Sequence, residues 1–442
     1  VTINLPKNVE FILKNLEACG FEAFVVGGCV RDSFLHQEPH DWDICTDATP
    51  EQTKTSFNTY RVIETGIQHG TITIVIDEET YEITTYRIDG EYSDNRRPDK
   101  VQFVSDLKAD LARRDFTINA MAYNHKIGLV DFFGGQDDLQ NKLIKCVGNP
   151  EDRFKEDALR ILRAIRFASV YGFQIEENTK LSIHSLKKSL ANIAVERINV
   201  ELCKLLCGIG VECVLNNYSG VIVEFIPEIN HMIGLDQKNP HHMYDVWKHT
   251  IKAISVSQKD VVIRLALLLH DIGKPACFLV DDSGIGHFYG HGKIGADLSD
   301  EILQRLRFDN STIKQVKELV LYHDSEINAN SKSVKRWLNK VGEERLRQLL
   351  KVRTADILAQ SDFEMDNKLS LIREVERKLE EIIDQQQCFT LKDLAVNGRD
   401  LVALGIPEGI QIGSILNQLT NMVIDEKIEN KFDDLIEIVK SL

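Results

Sequence analysis

"FVVGGCVRDSFLHQEPHDWDICTDA", residues 24–48, runs an apolar strand into two glycines and an Arg-Asp pair. It then sets two aspartates one residue apart at the edge of a second apolar stretch. On a strand, positions i and i+2 share a face, so Asp41 and Asp43 project together while Trp42 points the other way. Two carboxylates so close repel unless a cation sits between them, and a few oxygen ligands suit Mg²⁺. Gly27 and Gly28 close a strand and open a helix, so backbone amides there can cradle phosphates, with Arg31 as counter-charge. A lone DxD or a lone GG is common in solvated turns. The ordered set GG, Arg, DxD points to a metal-dependent nucleotide site.

Around this stretch the chain reads as mixed α/β. "KNVEFILKNLEACG" has helical spacing at Val9, Ile12, Leu13 and Leu16 and stops at Gly20. "DATPEQTKTSF" starts a helix with Pro50 in its first turn. "HGTITIVIDEETYEITTYRI" is a hairpin of two alternating β-branched runs around the turn "DEET". Glu82 on its second run is a candidate third carboxylate, ranked below the two aspartates because the alternation can equally place it in solvent. After Asp152 helical periods take over, and nine prolines in 442 residues fit a long helical body. Pro and Gly punctuate "IGLDQKNPHHMY", which sets a boundary near residue 238.

Hydrophobic content of 43% and charged content of 27% describe a globular chain that can bury several cores. Lys+Arg 53 against Asp+Glu 68 gives a net charge of −15. That balance disfavours non-specific nucleic-acid binding, although only the local charge matters to a bound strand. Nine cysteines without a CxxC pair read as free thiols of a reducing cytoplasm. No run is long and apolar enough to suggest a signal peptide or a membrane span.

"LARRDFTINAMAYN" sets Arg113, Arg114 and Asp115 at the start of a short helix. In "EDALRILRAIRF", Asp157, Arg160, Arg163 and Arg166 recur every three residues. Along a helix each such step rotates by about −60°, so Asp157 and Arg160 are expected as neighbours. Asp accepts hydrogen bonds and Arg only donates them. Cytosine and adenine each present an amino donor beside a ring-nitrogen acceptor, whereas uracil and guanine present the reverse. One Asp–Arg pair can therefore admit C and A, and unmatched buried polar groups make rejection of U and G severe.

Together "GGCVRD", "HDWDICTDATPEQ", "HGT", "RRDFTINAMAYN", "DFFGGQDDL", "EDALRILRAIRF" and "AVERINVELCKLL" resemble the class II tRNA nucleotidyltransferases, the bacterial CCA-adding enzymes and their poly(A) polymerase relatives, over roughly residues 20–235. The resemblance implies an α+β fold: a polymerase-β-like mixed-sheet nucleotidyltransferase head (1–150), then all-α parts. These are a neck and body for base and RNA binding (151–237), an HD domain (238–365) and a tail that reaches tRNA (366–442). It implies template-independent addition of C, C and A to the 3′ end of tRNA from CTP and ATP. Asp41 and Asp43 would hold two Mg²⁺ ions, and Gly28 and Arg31 would contact the nucleotide. Arg114 would meet its triphosphate and Asp115 its ribose. Asp157 and Arg160 would read the base, supported by Arg163 and Arg166. "YRIDGEYSDNRRPDK" is similar to the family's mobile loop.

A second constellation lies in "HHMYDVWKHTIKAI", "LALLLHDIGKP", "YGHGKIGADL", "LYHD" and "RTADILAQ". His270 and Asp271 end an intensely apolar helix, with His249 on an earlier helix and Asp356 on a later one, too far apart for a zinc finger. This resembles the HD phosphohydrolase domain. Carry-over makes His249, His270, Asp271 and Asp356 ligands of one transition metal, with His291 and His323 serving a second ion or a phosphate. Mixed imidazole and carboxylate ligation suits Ni²⁺, Co²⁺, Mn²⁺ or Fe²⁺.

Rival readings are a poly(A) polymerase, a CC-adding or A-adding enzyme, or mainly an HD phosphohydrolase on a dead head. Poly(A) polymerases typically carry a "GRRF"-like segment where this chain has "ETGIQHGTITI", and intact Asp41, Asp43, Arg114 and Asp157 argue against a dead head.

Overall fold

The computed structural model describes residues 2–90, 101–239 and 243–441. They form two compact units, Val1–Pro227 and Glu228–Leu442.

The first unit is organised by a mixed sheet. In chain order the strands are β1 (Ala23–Val26), β2 (Ile44–Thr46), β3 (Arg61–Ile63), β4 (Thr71–Ile76), β5 (Glu79–Thr85), β6 (Arg87–Asp89), β7 (Val101–Phe103), β8 (Met121–Asn124) and β9 (Gly128–Asp131). Seven of them pair in the order β3-β4-β5-β2-β1-β8-β9, while β6 and β7 make a separate ribbon. All contacts in the large sheet are antiparallel except β2 with β5, where Ile44 is level with Ile83. The expected loop over 86–100 lies for the most part outside the described residues, which omit 91–100.

Apolar patterning accounts for these elements. β4 turns Ile72, Ile74 and Ile76 inward and leaves its other side chains half-buried. Its hairpin to β5 turns at Asp77 and Glu78, with φ of 51° and 67°. Two positive φ values are what a two-residue turn needs to match strand twist. β1 is buried throughout, and Phe24 and Val26 share a core with Cys45, Tyr86, Leu107, Leu111, Ala120 and Ala122. The helix Lys7–Ala18 buries Val9, Ile12, Leu13 and Leu16. The helix Pro50–Ser56 starts on a capping box between Thr49 and Gln52.

Two local expectations are corrected. Asp41 and Asp43 do not lie on a strand; they occupy the extended residues just before β2. The cause is Gly27, whose φ of 81° turns β1 aside after Val26. The ladder then has one bond left to make, Val26 N–H to Asp43 O at 3.0 Å. Nor is "EDALRILRAIRF" a single helix. One helix, Pro150–Glu156, stops at Asp157, which is extended (φ −141°, ψ 103°), and another runs over Leu159–Tyr171. Asp157 and Arg160 are therefore not neighbours along a helix face.

The second unit is helical, apart from a small ribbon of Leu279–Val280 with Gly286–His287. The helices Val246–Val256, Val261–Leu269, His291–Arg305, Asn310–Tyr322 and Glu343–Leu358 surround a buried polar cluster. Toward the C-terminus, Val396, Leu401, Leu419, Val423, Leu435 and Val439 form a further core. Among the described residues no helix is long and apolar enough to cross a membrane.

Candidate functional site

The β1–helix turn brings the first set of candidates together. The short helix Gly28–Phe34 begins directly after Gly27, where a Cβ would lie 3.0 Å from Arg114 Nη1. The arginine thus packs against the turn itself. Asp41 and Asp43 remain solvent-accessible. The protein around Asp43 nonetheless pushes its carboxyl pKa up; Asp41 raises it further and Arg114 opposes. The β2–β5 pairing begins at Ile44 with Ile83, one residue after Asp43 and Glu82 respectively. Glu82 is pushed up too, by burial first and then by Asp43 and Asp41. The charges of Asp41 and Asp43 are felt at Glu82, and Arg114 acts as counter-charge on Asp43. Carboxylate oxygens are the donors that Mg²⁺ prefers, although without an ion these three are not gathered within ligand distance of one another.

A chain of polar contacts runs from this turn to the helix Leu159–Tyr171. Arg31 is buried; it donates to Asn119 Oδ1 at 2.6 Å and to both oxygens of Asp32 at 2.9 and 3.0 Å. Asn119 donates in turn to Asp115 Oδ1 at 3.1 Å, and Asp115 Oδ2 pairs with Arg163 at 2.6 Å. Tyr171 donates to Asp32 at 3.0 Å. Phe167 lies beneath three guanidinium groups, those of Arg166, Arg31 and Arg163, at 3.6, 5.1 and 5.4 Å from the ring centre.

Burial pushes the Asp115 pKa up, but Arg163, Asn119 and Arg160 outweigh it and hold the group at about 2. An unfolded aspartate titrates near ~3.9. The lowered value adds stability that is full above the unfolded pKa and is lost as pH falls through about 2. At neutral pH this amounts to about 2–3 kcal/mol. Asp115→Asn should therefore lower stability at pH 7 by that order and flatten the loss between about pH 4 and pH 2. Urea titrations across that range check it; an unchanged acid limb would remove Asp115 as its source.

The base-reading candidates are held differently from the sequence expectation. Asp157 pairs with Arg197 at 2.8 and 3.4 Å, and its Oδ1 accepts Leu159 N–H at 3.0 Å, starting the next helix. Arg160 is fixed by Glu156 at 2.7 Å and by the carbonyl of Arg113 at 3.0 Å. Arg166 pairs with Glu201 at 2.8 Å. Arg197 and Glu201, one turn apart on the helix Val195–Leu206, were not singled out in sequence. Two charges at i, i+4 on a helix that buries Ile198, Leu202 and Leu205 were the available signal.

The second unit converges on another set. His249, His270, Asp271, His291 and His323 are all buried. His249 Nε2 lies 2.8 Å from Asp356 Oδ1 and 3.4 Å from His270 Nε2. His291 Nε2 lies 3.1 Å from His323 Nε2. Each of the four rings turns Nδ1 to a backbone carbonyl: His249 to Ala359 at 3.2 Å, His270 to Leu267 at 2.7 Å, His291 to Phe288 at 2.8 Å and His323 to Val320 at 2.7 Å. A carbonyl only accepts, so Nδ1 donates to it and Nε2 is the ring nitrogen left to face the cluster. That is the ring orientation a metal ligand needs.

Asp271 belongs to both groups of candidate ligands, one with His249 and His270, the other with His291 and His323. Its Oδ2 is 2.7 Å from Lys274 Nζ yet has no well-formed hydrogen bond. Burial pushes the Asp271 carboxyl up, but His270 and Lys274 hold it well below the usual range. Burial pushes the His323 imidazole down to about 3, so it stays neutral. These residues fit a metal. Lys274, also 2.7 Å from Gln237 Oε1, went unremarked in the sequence.

Residues 23–145 match the family described as Poly A polymerase head domain. Residues 172–211 match the probable RNA and SrmB-binding site of polymerase A, and 293–439 a putative second domain of tRNA nucleotidyltransferases. The CCA-adding enzyme of Limosilactobacillus reuteri (strain DSM 20016) is 34% identical over 440 residues, covering 98% of this chain and 95% of the relative. That of Pediococcus pentosaceus is 32% identical over 451 residues, covering 99% and 98%. The crystal structure of the Bacillus stearothermophilus CCA-adding enzyme in complex with CTP superposes with a TM-score of 0.72 at 27% identity, over 98% of this chain and 96% of that one. With identity of this order along nearly the full length of both chains, this protein belongs to the CCA-adding enzymes of the tRNA nucleotidyltransferase and poly(A) polymerase family.

Proposed function

We propose that the first unit adds C, C and A to the 3′ end of tRNA from CTP and ATP, and that the buried His/Asp cluster hydrolyses phosphate esters on RNA 3′ ends. The observation that carries the first part is the packing of Arg114 against the Gly27 turn, with its charge acting on Asp43 and those of Asp41 and Asp43 on Glu82. In the transfer, the tRNA 3′-oxygen bonds to the α-phosphorus of the NTP, the bond to the β-phosphate oxygen breaks, and pyrophosphate leaves. Asp41, Asp43 and Glu82 would hold Mg²⁺, which supplies acidification of the 3′-hydroxyl and stabilisation of the leaving charge. Arg114, whose buried Nε has no hydrogen-bond partner, faces the triphosphate together with the amide of Gly28. Arg31 and Asp115 orient the sugar end of the nucleotide through the Asn119 bridge. Asp157 and Arg160 read the base, with Arg197 holding the acceptor and Arg163 and Arg166 fixing the wall behind.

The four inward-pointing Nε2 atoms support the second part. His249, His270, Asp271 and Asp356, with His291 and His323, would hold Ni²⁺, Co²⁺ or Mn²⁺, which supplies a water of lowered pKa and a polarised phosphoryl group. Hydrolysis adds the water oxygen to phosphorus, breaks one bond to a ribose oxygen and leaves a hydroxyl. Nine free cysteines suit a reducing cytoplasm. Residues 366–442 are assigned to tRNA.

The test is incubation with tRNA transcripts ending before, within and after CCA, with each NTP supplied separately. Ordered incorporation of C, C and A supports the reading; none with any transcript overturns it. Base choice is tested by Asp157→Asn, which keeps a carbonyl to cap the following helix but removes the charge that Arg197 holds. Each hydrogen bond lost to a charged group costs about ten- to a hundred-fold in selectivity. If the variant excludes UTP and GTP as strictly as the parent, Asp157 does not read the base.

A further inference from the structure

A cavity of about 310 Å³ opens onto the His/Asp cluster, near the lower end of the ~300–1,000 Å³ typical of small-ligand sites. Its floor is Asp271, His291 and His323, and Lys274 and Asn239 stand on its wall. Its rim carries His287, from the short ribbon, and Tyr289, from the turn between that ribbon and the helix His291–Arg305. Tyr289 is 74% exposed, which is unusual for an aromatic ring at the mouth of a polar cavity. One face of it is stacked on His287, with centres 5.3 Å apart and planes 7° from parallel. His287 in turn is pinned by Asp281 at 2.7 Å, and Asp281 is itself fixed by Ser283 and by the amide of Ile285. An exposed ring whose orientation is set by a tethered neighbour is preorganised to take a flat partner on its open face.

We propose that Tyr289, stacked on His287, is the platform for the terminal nucleobase of this site's substrate, so that the cluster prefers a base-bearing 2′- or 3′-phosphate ester over one without a base. This rests on the phosphohydrolase reading above and names its substrate class. The floor engages phosphate, Lys274 supplies the one buried ammonium on the wall, and the rim adds the aromatic surface that a phosphate alone does not use. Stacking tolerates every base, because each has a π face, so the preference is for a nucleotide rather than for one base.

The test uses the full-length protein with the variants Tyr289→Ala and Tyr289→Phe. Hydrolysis of 2′,3′-cyclic AMP is compared with that of a methyl riboside 2′,3′-cyclic phosphate, which lacks the base. In Tyr289→Ala the kcat/KM ratio of the two should fall about ten- to a hundred-fold, chiefly through KM, and Tyr289→Phe should restore it. Independently of turnover, calorimetric binding of 2′-AMP to metal-free protein, with CTP saturating the first unit, should weaken by a similar factor in Tyr289→Ala only. An unchanged ratio together with unchanged binding overturns the platform. If the parent hydrolyses neither ester while 2′-AMP binding depends on Tyr289, the hydrolase reading falls and the platform stands.

Discussion

Asp43→Asn is expected to abolish addition of both C and A, by at least about a thousand-fold, while leaving the fold intact. The magnitude follows from the several kcal/mol that a catalytic metal supplies to charge developing at phosphorus and leaving oxygen. The fold should survive because the backbone role of residue 43, accepting Val26 N–H at 3.0 Å, belongs to its carbonyl and not to its side chain. Removing the charge also relieves the desolvation cost that, ahead of the repulsion from Asp41, pushes Asp43 upward. Incorporation of CTP and ATP into tRNA measures the first effect and thermal unfolding the second. Near-parental incorporation would take Asp43 out of the mechanism.

The second large effect concerns Asp271. Because one carboxylate serves both histidine groups, Asp271→Asn should empty both together, whereas His323→Asn should affect only the group it belongs to. Loss of hydrolysis of 2′,3′-cyclic nucleotides should be complete with Ni²⁺, Co²⁺ and Mn²⁺ alike. Asp271→Asn also leaves the buried Lys274 ammonium without its anion, which destabilises the second unit by about 3–5 kcal/mol; His323→Asn carries no such penalty. Metal content by mass spectrometry and nucleotide incorporation are read on the same samples. Addition of C and A should persist in both variants. Equal metal content in Asp271→Asn and the parent would show that Asp271 is not a shared ligand.

Much of this was legible in sequence because periodicity and residue type are local. The buried face of Lys7–Ala18, the β4–β5 hairpin and the Gly27 turn each follow from patterns within a dozen residues. The histidine set was legible as a list, since imidazoles at the ends of apolar helices have few other uses. What pattern could not give were the pairings. The arginines from Arg160 to Arg166 look alike along a helix, but Glu156, Asp115 and Glu201 each claim a different one. Asp157 fell outside the helix for a similar reason: its carboxylate caps the next turn, a choice made by its contact with Arg197 forty residues on. Glu82 was ambiguous because strand alternation sets only its face, and it lies exposed on β5 while still feeling the charges of Asp43 and Asp41.

The paired arginines bear on how this enzyme meets a polyanion. A bare basic helix that neutralises phosphates releases the cations condensed on the nucleic acid, about 0.7–0.9 per phosphate bound, and that entropy drives binding. Here Arg31, Arg160, Arg163, Arg166 and Arg197 each arrive with an internal carboxylate, in Asp32, Glu156, Asp115, Glu201 and Asp157. An approaching strand finds dipoles there, not uncompensated cations. Recognition at that wall is thereby shifted away from ionic-strength-sensitive attraction and toward directional hydrogen bonding, the kind of contact that distinguishes one base from another and holds its selectivity as salt rises.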